Sequence, residues 1–275
     1  MGMREEFTDK CKAPSAGLDA ETIKRREQEL AASLTADSTD LLPYLPYLLQ
    51  DIYELGSSPA DIEVLLRENT DFGPWFRVLD LACGKGAVSI HLAAKFGCSV
   101  KGVDFMQAFV NDAVRKATER FLDRLCRFEW QDANISVDCE RGYDLVILGA
   151  AGNVLGNLDQ TLHKLRQTIR RGGYIIIDDA YTTDKERTPH YTWQEWIEAF
   201  AKNNVKYIAH KTFQGDDLEQ ANASNQAMII QRAEELKSRH PEHADLFDNY
   251  VRAQQEEIDE LEGDLVPLTW LLMKE

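Results

Sequence analysis

The chain of 275 residues lacks a long apolar run, a regular cysteine framework and an excess of basic residues. None of its apolar runs approaches the roughly 20 residues that a membrane-spanning helix needs. Its five cysteines are odd in number and irregularly spaced, which predicts reduced thiols and not a disulfide or zinc framework. The formal net charge of −16 argues against a nucleic-acid substrate and against an anionic membrane surface. We therefore expect a cytoplasmic protein with neither of these partners.

One stretch of the sequence stands out, residues 78–90, which read Val-Leu-Asp-Leu-Ala-Cys-Gly-Lys-Gly-Ala-Val-Ser-Ile. An apolar run ends in Asp80, a glycine-rich turn and an amphipathic segment follow, and a second apolar run ends in Asp104. This order predicts two carboxylates at the carboxyl ends of neighbouring strands, where an open α/β sheet binds nucleotide-like ligands. Gly84 and Gly86 lack a Cβ atom, so the backbone can turn sharply there and approach a ligand closely.

The details of this loop discriminate between two kinds of nucleotide ligand. A dinucleotide fingerprint has a third glycine three residues after the second, where this chain has Ser89. Asp80 would also repel a pyrophosphate, so a nicotinamide oxidoreductase is disfavoured. A carboxylate suits a cationic amino group, and S-adenosylmethionine carries an ammonium group, a sulfonium and a ribose. Asp80 would lie near the ammonium group, and Asp104 would accept hydrogen bonds from the ribose hydroxyls.

In these residues the chain resembles the class I S-adenosylmethionine-dependent methyltransferases. The run 80–86 is similar to their first motif, with Ala82 where many members have glycine, and Asp104 is similar to the acid of their ribose-binding strand. Later family segments follow in the expected order at 131–134, 143–148 and 171–179. The resemblance covers 75–215 and a last strand. It implies an α/β fold with a seven-stranded, mostly parallel, Rossmann-like sheet and helices on both faces.

The resemblance also implies which residues bind the cofactor, S-adenosylmethionine. Asp132 would receive the adenine amino group, and the backbone of Ala133 would lie near the adenine ring. We expect Cys83 to be a small packing residue of the cofactor loop and not a nucleophile. The full set of implied cofactor-binding residues is Asp80, Ala82, Cys83, Gly84, Gly86, Asp104, Phe105, Asp132, Ala133 and Gly149.

The motifs do not assign a catalytic residue. The sulfonium is a good leaving group, so the protein need mainly align the acceptor about 3 Å from the methyl carbon. The Asn/Asp-Pro-Pro-Tyr motif of enzymes that methylate exocyclic amines is absent after the fourth predicted strand. Asp178 and Asp179 resemble the acidic pair of catechol-type O-methyltransferases, but the third ligand is missing, so we expect no metal site. The candidates near the ends of strands four and five are Asn153, Asp178, Tyr181 and His190.

Helical segments surround this core in the sequence. We predict a helical N-terminal extension at 1–74, a core at 75–215 and 264–275, and an acidic helical insert at 216–263. The insert is either a lid over the acceptor pocket or a solvated helical pair that makes a homodimer contact. The basic cluster at 24–26 is interpreted as a solvated helix face. Strands are predicted at 77–81, 99–103, 126–130, 143–148, 173–178, 205–213 and 268–273.

These features predict a methyltransferase that acts on a small molecule by direct displacement. The alternative is an S-adenosylmethionine-binding regulatory or scaffold protein without transferase activity. No substitution within the predicted cofactor motif argues for that alternative, because Asp80, Gly84, Gly86 and Asp104 are all present. The sequence does not identify the acceptor.

Overall fold

A seven-stranded sheet forms the centre of the structure. The computed structural model describes residues 19–185, 190–213 and 215–275. The strands are β1 (Arg77–Leu81), β2 (Ser99–Asp104), β3 (Cys126–Trp130), β4 (Tyr143–Gly149), β5 (Ile169–Thr182), β6 (Val205–Thr212) and β7 (Leu265–Lys274). Their order across the sheet is β3-β2-β1-β4-β5-β7-β6, and β7 runs antiparallel to the other six strands. The winding therefore changes direction between β1 and β4, where an open sheet forms a ligand-binding crevice.

Helices cover both faces of this sheet. They are α1 (Ala20–Ser33), α2 (Leu45–Leu48), α3 (Pro59–Asn69), α4 (Ala87–Phe96), α5 (Gln107–Glu119), α6 (Ala133–Cys139), α7 (Leu158–Thr168), α8 (Trp193–Lys202), α9 (Asp216–Arg239) and α10 (Ala244–Glu262). On one face α7 and α8 bury Leu162, Trp196 and Phe200, and on the other face α3 and α4 bury Ile62 and Leu92. Within the part of the chain that the structure describes, no helix is both long and apolar enough to span a membrane.

The predicted fold class and the predicted strands are confirmed, with differences at β5 and α6 and an earlier start of β7, at Leu265 and not at the predicted 268. β5 begins ahead of the predicted 173–178, because Ile169 already pairs with Tyr143 before the register shifts. α6 was not predicted, since seven residues are too few to show a helical period. Its start is set by Asp132, whose side chain accepts a hydrogen bond from the Asn134 backbone N–H at 2.7 Å.

The cysteines differ in their covalent state. Cys83, Cys98 and Cys126 are free thiols. Cys139 is disulfide-bonded, so the prediction of reduced thiols is wrong for that residue. A disulfide depends on how closely two Cβ atoms approach in space, and irregular spacing along a sequence does not reveal that distance.

A third apolar cluster joins the N-terminal segment to the helices that precede β7. Leu45 and Leu48 of α2 share this cluster with Phe109 of α5, Ile229 of α9 and Phe247 of α10. The apolar faces of α9 and α10 are therefore buried against the N-terminal segment, although the outer faces of these helices are acidic. This layer lies beside the carboxyl end of β2, because Phe109 belongs to the helix that follows that strand.

Candidate active site

A cavity of about 980 Å³, its open mouth included, lies at the carboxyl ends of β1, β2 and β4. This is the crevice expected where the winding of the sheet changes direction. Nine of the ten predicted cofactor-binding residues line it, and Gly86 is the exception. The nine are Asp80, Ala82, Cys83, Gly84, Asp104, Phe105, Asp132, Ala133 and Gly149.

The two glycines of the loop have different surroundings. Gly84 lines the cavity, and its φ of 51° lies in the left-handed region. Gly86 has a φ of 75° and starts α4, but a Cβ atom there would lie 2.8 Å from the ring of Phe128 and 3.0 Å from Cβ of Ala113. Gly86 therefore serves a tight turn and close packing beneath α4, and its approach to the ligand stays a prediction. The sequence could not separate the two positions, because both need a missing Cβ atom.

Ala82 is also in the left-handed region, with a φ of 53°. At this position many family members have glycine, which adopts such angles without strain. An alanine there is disfavoured by roughly 1–2 kcal/mol. The alanine in place of glycine therefore matters mainly because it strains the backbone, and the size of its methyl group matters less.

Asp104 is held in place by the backbone. Its two carboxylate oxygens accept hydrogen bonds at 2.8 Å from the N–H groups of Gly84 and Met106. Burial nevertheless raises the pKa of Asp104 to about 6. Each carboxylate oxygen has a second lone-pair direction, so the oriented group can still accept hydrogen bonds from a ligand.

Asp80 is the most strongly perturbed acid of the cavity, and only 3% of it is exposed. Burial raises the pKa of Asp80 to about 7, and the negative charges of Asp104 and Asp178 add to the effect. Its carboxylate accepts a hydrogen bond at 2.5 Å from the hydroxyl of Ser89. Ser89 stands where a dinucleotide fingerprint would have its third glycine, so the residue that breaks that pattern orients the acid.

The residues of the cavity fit S-adenosylmethionine better than a dinucleotide. Asp80, Asp104 and Asp132 are all buried along one cavity, and no cationic side chain of the described residues pairs with either of the first two. Buried carboxylates are stabilised by a cation or by several hydrogen-bond donors. A ligand with an ammonium group and ribose hydroxyls supplies both, whereas a pyrophosphate would add negative charge.

Helix α1 forms one wall of the cavity. Four of its residues and the residue that follows it line the cavity at the spacing of a single helix face: Arg26, Glu29, Leu30, Ser33 and Leu34. The side chain of Arg26 is 16% exposed, and its Nε donates a hydrogen bond to Asp132 at 2.8 Å. The interpretation of 24–26 as a solvated face is therefore wrong for Arg26, because its partner lies far away in the sequence.

Lys85 connects the cofactor loop to the N-terminal segment. It lies between the two glycines of the loop and is only 2% exposed. Its ammonium group donates hydrogen bonds to the carbonyl oxygens of Leu49 and Ile52, the second at 2.7 Å. Burial lowers the pKa of Lys85 to about 8. Sequence reasoning missed this contact, because the partners of Lys85 lie 33 and 36 residues away along the chain.

None of the four catalytic candidates lines the cofactor cavity. Asp178 is buried and accepts hydrogen bonds from the hydroxyls of Ser57 and Thr269. Asn153 is exposed and lies with Asp178 at a smaller cavity of about 350 Å³. The ring of Tyr181 packs against another aromatic ring at 5.5 Å, and the carbonyl oxygen of His190 accepts a hydrogen bond from a lysine at 3.0 Å. The structure thus does not bring the four together.

Ser57 links Asp178 to the cofactor cavity. Ser57 lines that cavity, and its hydroxyl donates a hydrogen bond to a carboxylate oxygen of Asp178. A Cβ atom on Gly149 would lie 2.2 Å from the Ser57 hydroxyl oxygen, so the glycine at the end of β4 leaves room for this contact. Within the described residues, no group of three or more His, Cys, Asp or Glu side chains could hold a metal ion.

Comparisons with known proteins agree with this geometry. A family model described as a methyltransferase domain matches residues 75–226. Geranyl diphosphate 2-C-methyltransferase from Saccharopolyspora erythraea is 29% identical over 124 residues, which are 43% of this chain and 42% of that enzyme. The chain therefore matches less than half the length of this curated relative.

Solved structures share the fold over most of the chain. An S-adenosylmethionine-dependent methyltransferase from Thiobacillus denitrificans, in complex with S-adenosylhomocysteine, has a TM-score of 0.69 at 18% identity and covers 84% of this chain and 98% of its own. A second one from Geobacter sulfurreducens, with the same ligand, has a TM-score of 0.70 at 17% identity and covers 84% and 97%. Because the family model spans more than half of it, the chain belongs to the methyltransferase-domain family, and it shares the fold of these S-adenosylmethionine-dependent enzymes.

Proposed function

We propose that this methyltransferase transfers the methyl group of S-adenosylmethionine to a small, largely apolar molecule. The observation that carries the proposal is the chemistry of the cavity wall beyond the predicted cofactor residues. One part of that wall is mostly apolar, and its only polar groups are two serine hydroxyls, whereas the rest of the wall also contains charged and amide side chains. The members of this apolar part are Leu30, Ser33, Leu34, Leu55, Ser57, Ile147, Ala150, Ala151 and Val154.

The acids of the cavity would set the orientation of the donor. Asp80 would hold the amino group, Asp104 the ribose hydroxyls and Asp132 the adenine amino group. The bound cofactor supplies an electrophilic methyl group on a good leaving group. Helix α1 would exclude water from the neighbouring apolar wall, and the wall would hold the acceptor in line with the methyl carbon.

Ser57 and Asp178 provide a route for a proton. An acceptor hydroxyl or amine beside Ser57 would donate its proton to the Ser57 oxygen as the Ser57 proton passes to Asp178. Burial raises the pKa of Asp178 to about 6, so its carboxylate is a better proton acceptor than an ordinary aspartate. Replacement Ser57→Ala should slow turnover and leave the affinity for S-adenosylhomocysteine unchanged.

The acceptor of the curated relative, geranyl diphosphate, fits this cavity poorly. Two basic residues line the cavity: the charge of Arg26 is balanced by the carboxylates of Glu29 and Asp132, and the ammonium group of Lys85 is bound by backbone carbonyl oxygens. The buried acids Asp80 and Asp104 would repel a diphosphate. We therefore propose a neutral acceptor for this chain.

Calorimetry and a turnover assay test the proposal. We expect S-adenosylhomocysteine to bind and NAD not to bind, and tight binding of NAD alone would refute the cofactor assignment. The purified protein is then incubated with S-adenosylmethionine and matched acceptors, such as geraniol and geranyl diphosphate, and release of S-adenosylhomocysteine is measured. Faster release with anionic members of such pairs than with neutral members would refute the apolar acceptor.

The helical segments outside the core are part of the same proposal. We propose that the described part of the N-terminal extension, 19–74, and the insert, 216–263, act as one lid over the acceptor. The shared apolar cluster of α2, α9 and α10 supports this choice over an independent surface pair. The homodimer, the cytoplasmic location and the absence of a nucleic-acid partner stay predictions.

A further inference from the structure

Arg26 is fixed at the cavity wall by two carboxylates. Its Nε donates to Oδ2 of Asp132 at 2.8 Å, and its Nη1 donates to Oε2 of Glu29 at 2.5 Å. A guanidinium group has five N–H donors in one plane, so these two hydrogen bonds leave three N–H groups for other partners. Arg26 lines the cavity, so a bound ligand is such a partner.

Asp132 has capacity for a ligand beside Arg26. Its Oδ1 accepts from the backbone N–H of Asn134 at 2.7 Å and from the side-chain amide of Asn134 at 3.2 Å, and its Oδ2 accepts from Arg26. A carboxylate has about four lone-pair directions, two on each oxygen, so the oxygen that binds Arg26 can take one more donor. The adenine amino group is such a donor, and on each side of it the purine has a ring nitrogen that accepts hydrogen bonds. A guanidinium bound to the same carboxylate therefore lies within reach of one of these nitrogens.

We propose that Arg26 determines the base specificity of donor binding. Asp132 accepts a hydrogen bond from the adenine amino group, while Arg26 donates one to the ring nitrogen beside it. The pair thus reads the donor and acceptor pattern of one edge of the base. This inference rests on the proposed function, because it places adenine at Asp132, and it gives the N-terminal helix a direct contact with the donor.

Calorimetric titration of two arginine variants tests the inference. The probes are S-adenosylhomocysteine and its 1-deaza and 7-deaza analogues, each of which lacks one of the two ring nitrogens. We expect the wild-type protein to bind one analogue about tenfold more weakly than the parent ligand, because a charge-assisted hydrogen bond is lost. In Arg26→Met this ratio should fall to about one. Arg25→Met is the matched control, since that side chain is 60% exposed, and it should keep the wild-type ratios.

Each other outcome contradicts the inference. If Arg26→Met weakens all three ligands equally, or none of them, Arg26 only supports the wall of the cavity. A wild-type protein that does not distinguish the three ligands leads to the same conclusion. Should Arg26→Met fail to fold, Arg26→Gln, which retains an amide donor, is measured with the same ligands. If S-adenosylhomocysteine itself does not bind to wild type, the proposed function fails as well, so the two failures are distinguishable.

Discussion

Replacement of Asp80 by asparagine should stabilise the ligand-free protein and weaken its ligand binding. Asp80 is buried, no described cationic side chain pairs with it, and its hydrogen bond from Ser89 is retained by an asparagine oxygen. A neutral side chain of the same shape therefore removes a buried charge and leaves the local geometry intact. The charge is unfavourable without a ligand and useful only when a cationic group binds beside it.

The raised pKa of Asp80 sets the size and the pH range of the effect. Burial raises the pKa from 3.8 to about 7, and a shift of about three units corresponds to about 4 kcal/mol. The folded protein holds the proton of Asp80 more tightly than the unfolded chain does. The stability that this proton contributes to the wild-type protein is therefore complete below about pH 4 and is lost as pH rises through 7. The Asp80→Asn variant should thus gain up to about 4 kcal/mol at pH 8 and almost nothing at pH 4.

Thermal melting at these two pH values checks the prediction. Each kcal/mol should raise Tm by about 2–4 °C in a protein of this size. The affinity for S-adenosylhomocysteine at pH 8 should fall about tenfold or more, because a charged hydrogen-bonding partner is lost. Asp144→Asn is the control: Asp144 accepts from the Arg77 N–H at 2.7 Å at the other end of the sheet, so this variant should lose stability and keep its affinity. An Asp80→Asn variant that is less stable at pH 8, or binds as wild type does, refutes the reasoning.

Further predictions concern the backbone and the lysine of the loop. Gly86→Ala should lower the free energy of unfolding by about 1–3 kcal/mol and leave the affinity of the folded protein for S-adenosylhomocysteine unchanged. Gly84→Ala should lower that affinity. Equal affinities of the two variants would contradict this prediction. Ala82→Gly should raise the free energy of unfolding by about 1 kcal/mol in urea titrations, because its φ is left-handed. Lys85→Met should lower the free energy of unfolding by about 1–3 kcal/mol and expose the N-terminal segment to limited proteolysis, while the half-exposed Lys95→Met should do neither.

The strands of the sheet could be predicted because their signals are local. Each strand is a short apolar run bounded by polar or glycine residues, and the run that ends in Asp80 or Asp104 contains its own evidence. α6 could not be predicted, because it has no clear local signal. Its seven residues show no helical period, and its start depends on a cap by Asp132, a residue that the family resemblance assigns to the ligand.

The cofactor side of the site could also be predicted from local signals, and the acceptor side could not. Asp80, Gly84 and Asp104 belong to two consecutive strand ends, so the sequence places them together once the strands are known. The apolar wall is assembled from α1, from the segment before α3 and from the loop after β4. No local pattern indicates that these three segments meet, because only tertiary packing brings them to one cavity.

The contacts of Arg26 and Lys85 are the clearest examples of features that the sequence could not predict. The partner of Arg26 is 106 residues away, and the nearer partner of Lys85 is 33 residues away. Each appears in the sequence as an ordinary surface cation, yet Lys85 is buried, the side chain of Arg26 is only 16% exposed, and both join the N-terminal segment to the cofactor loop or to the acid beside it. A buried cation with fixed partners is strongly destabilising when a partner is lost. We therefore expect the N-terminal segment and the cofactor cavity to be ordered together, so that saturation with S-adenosylhomocysteine should protect the backbone amides of α1 from hydrogen exchange. Unchanged exchange in α1 on ligand binding would show that the helix covers the cavity without being coupled to it.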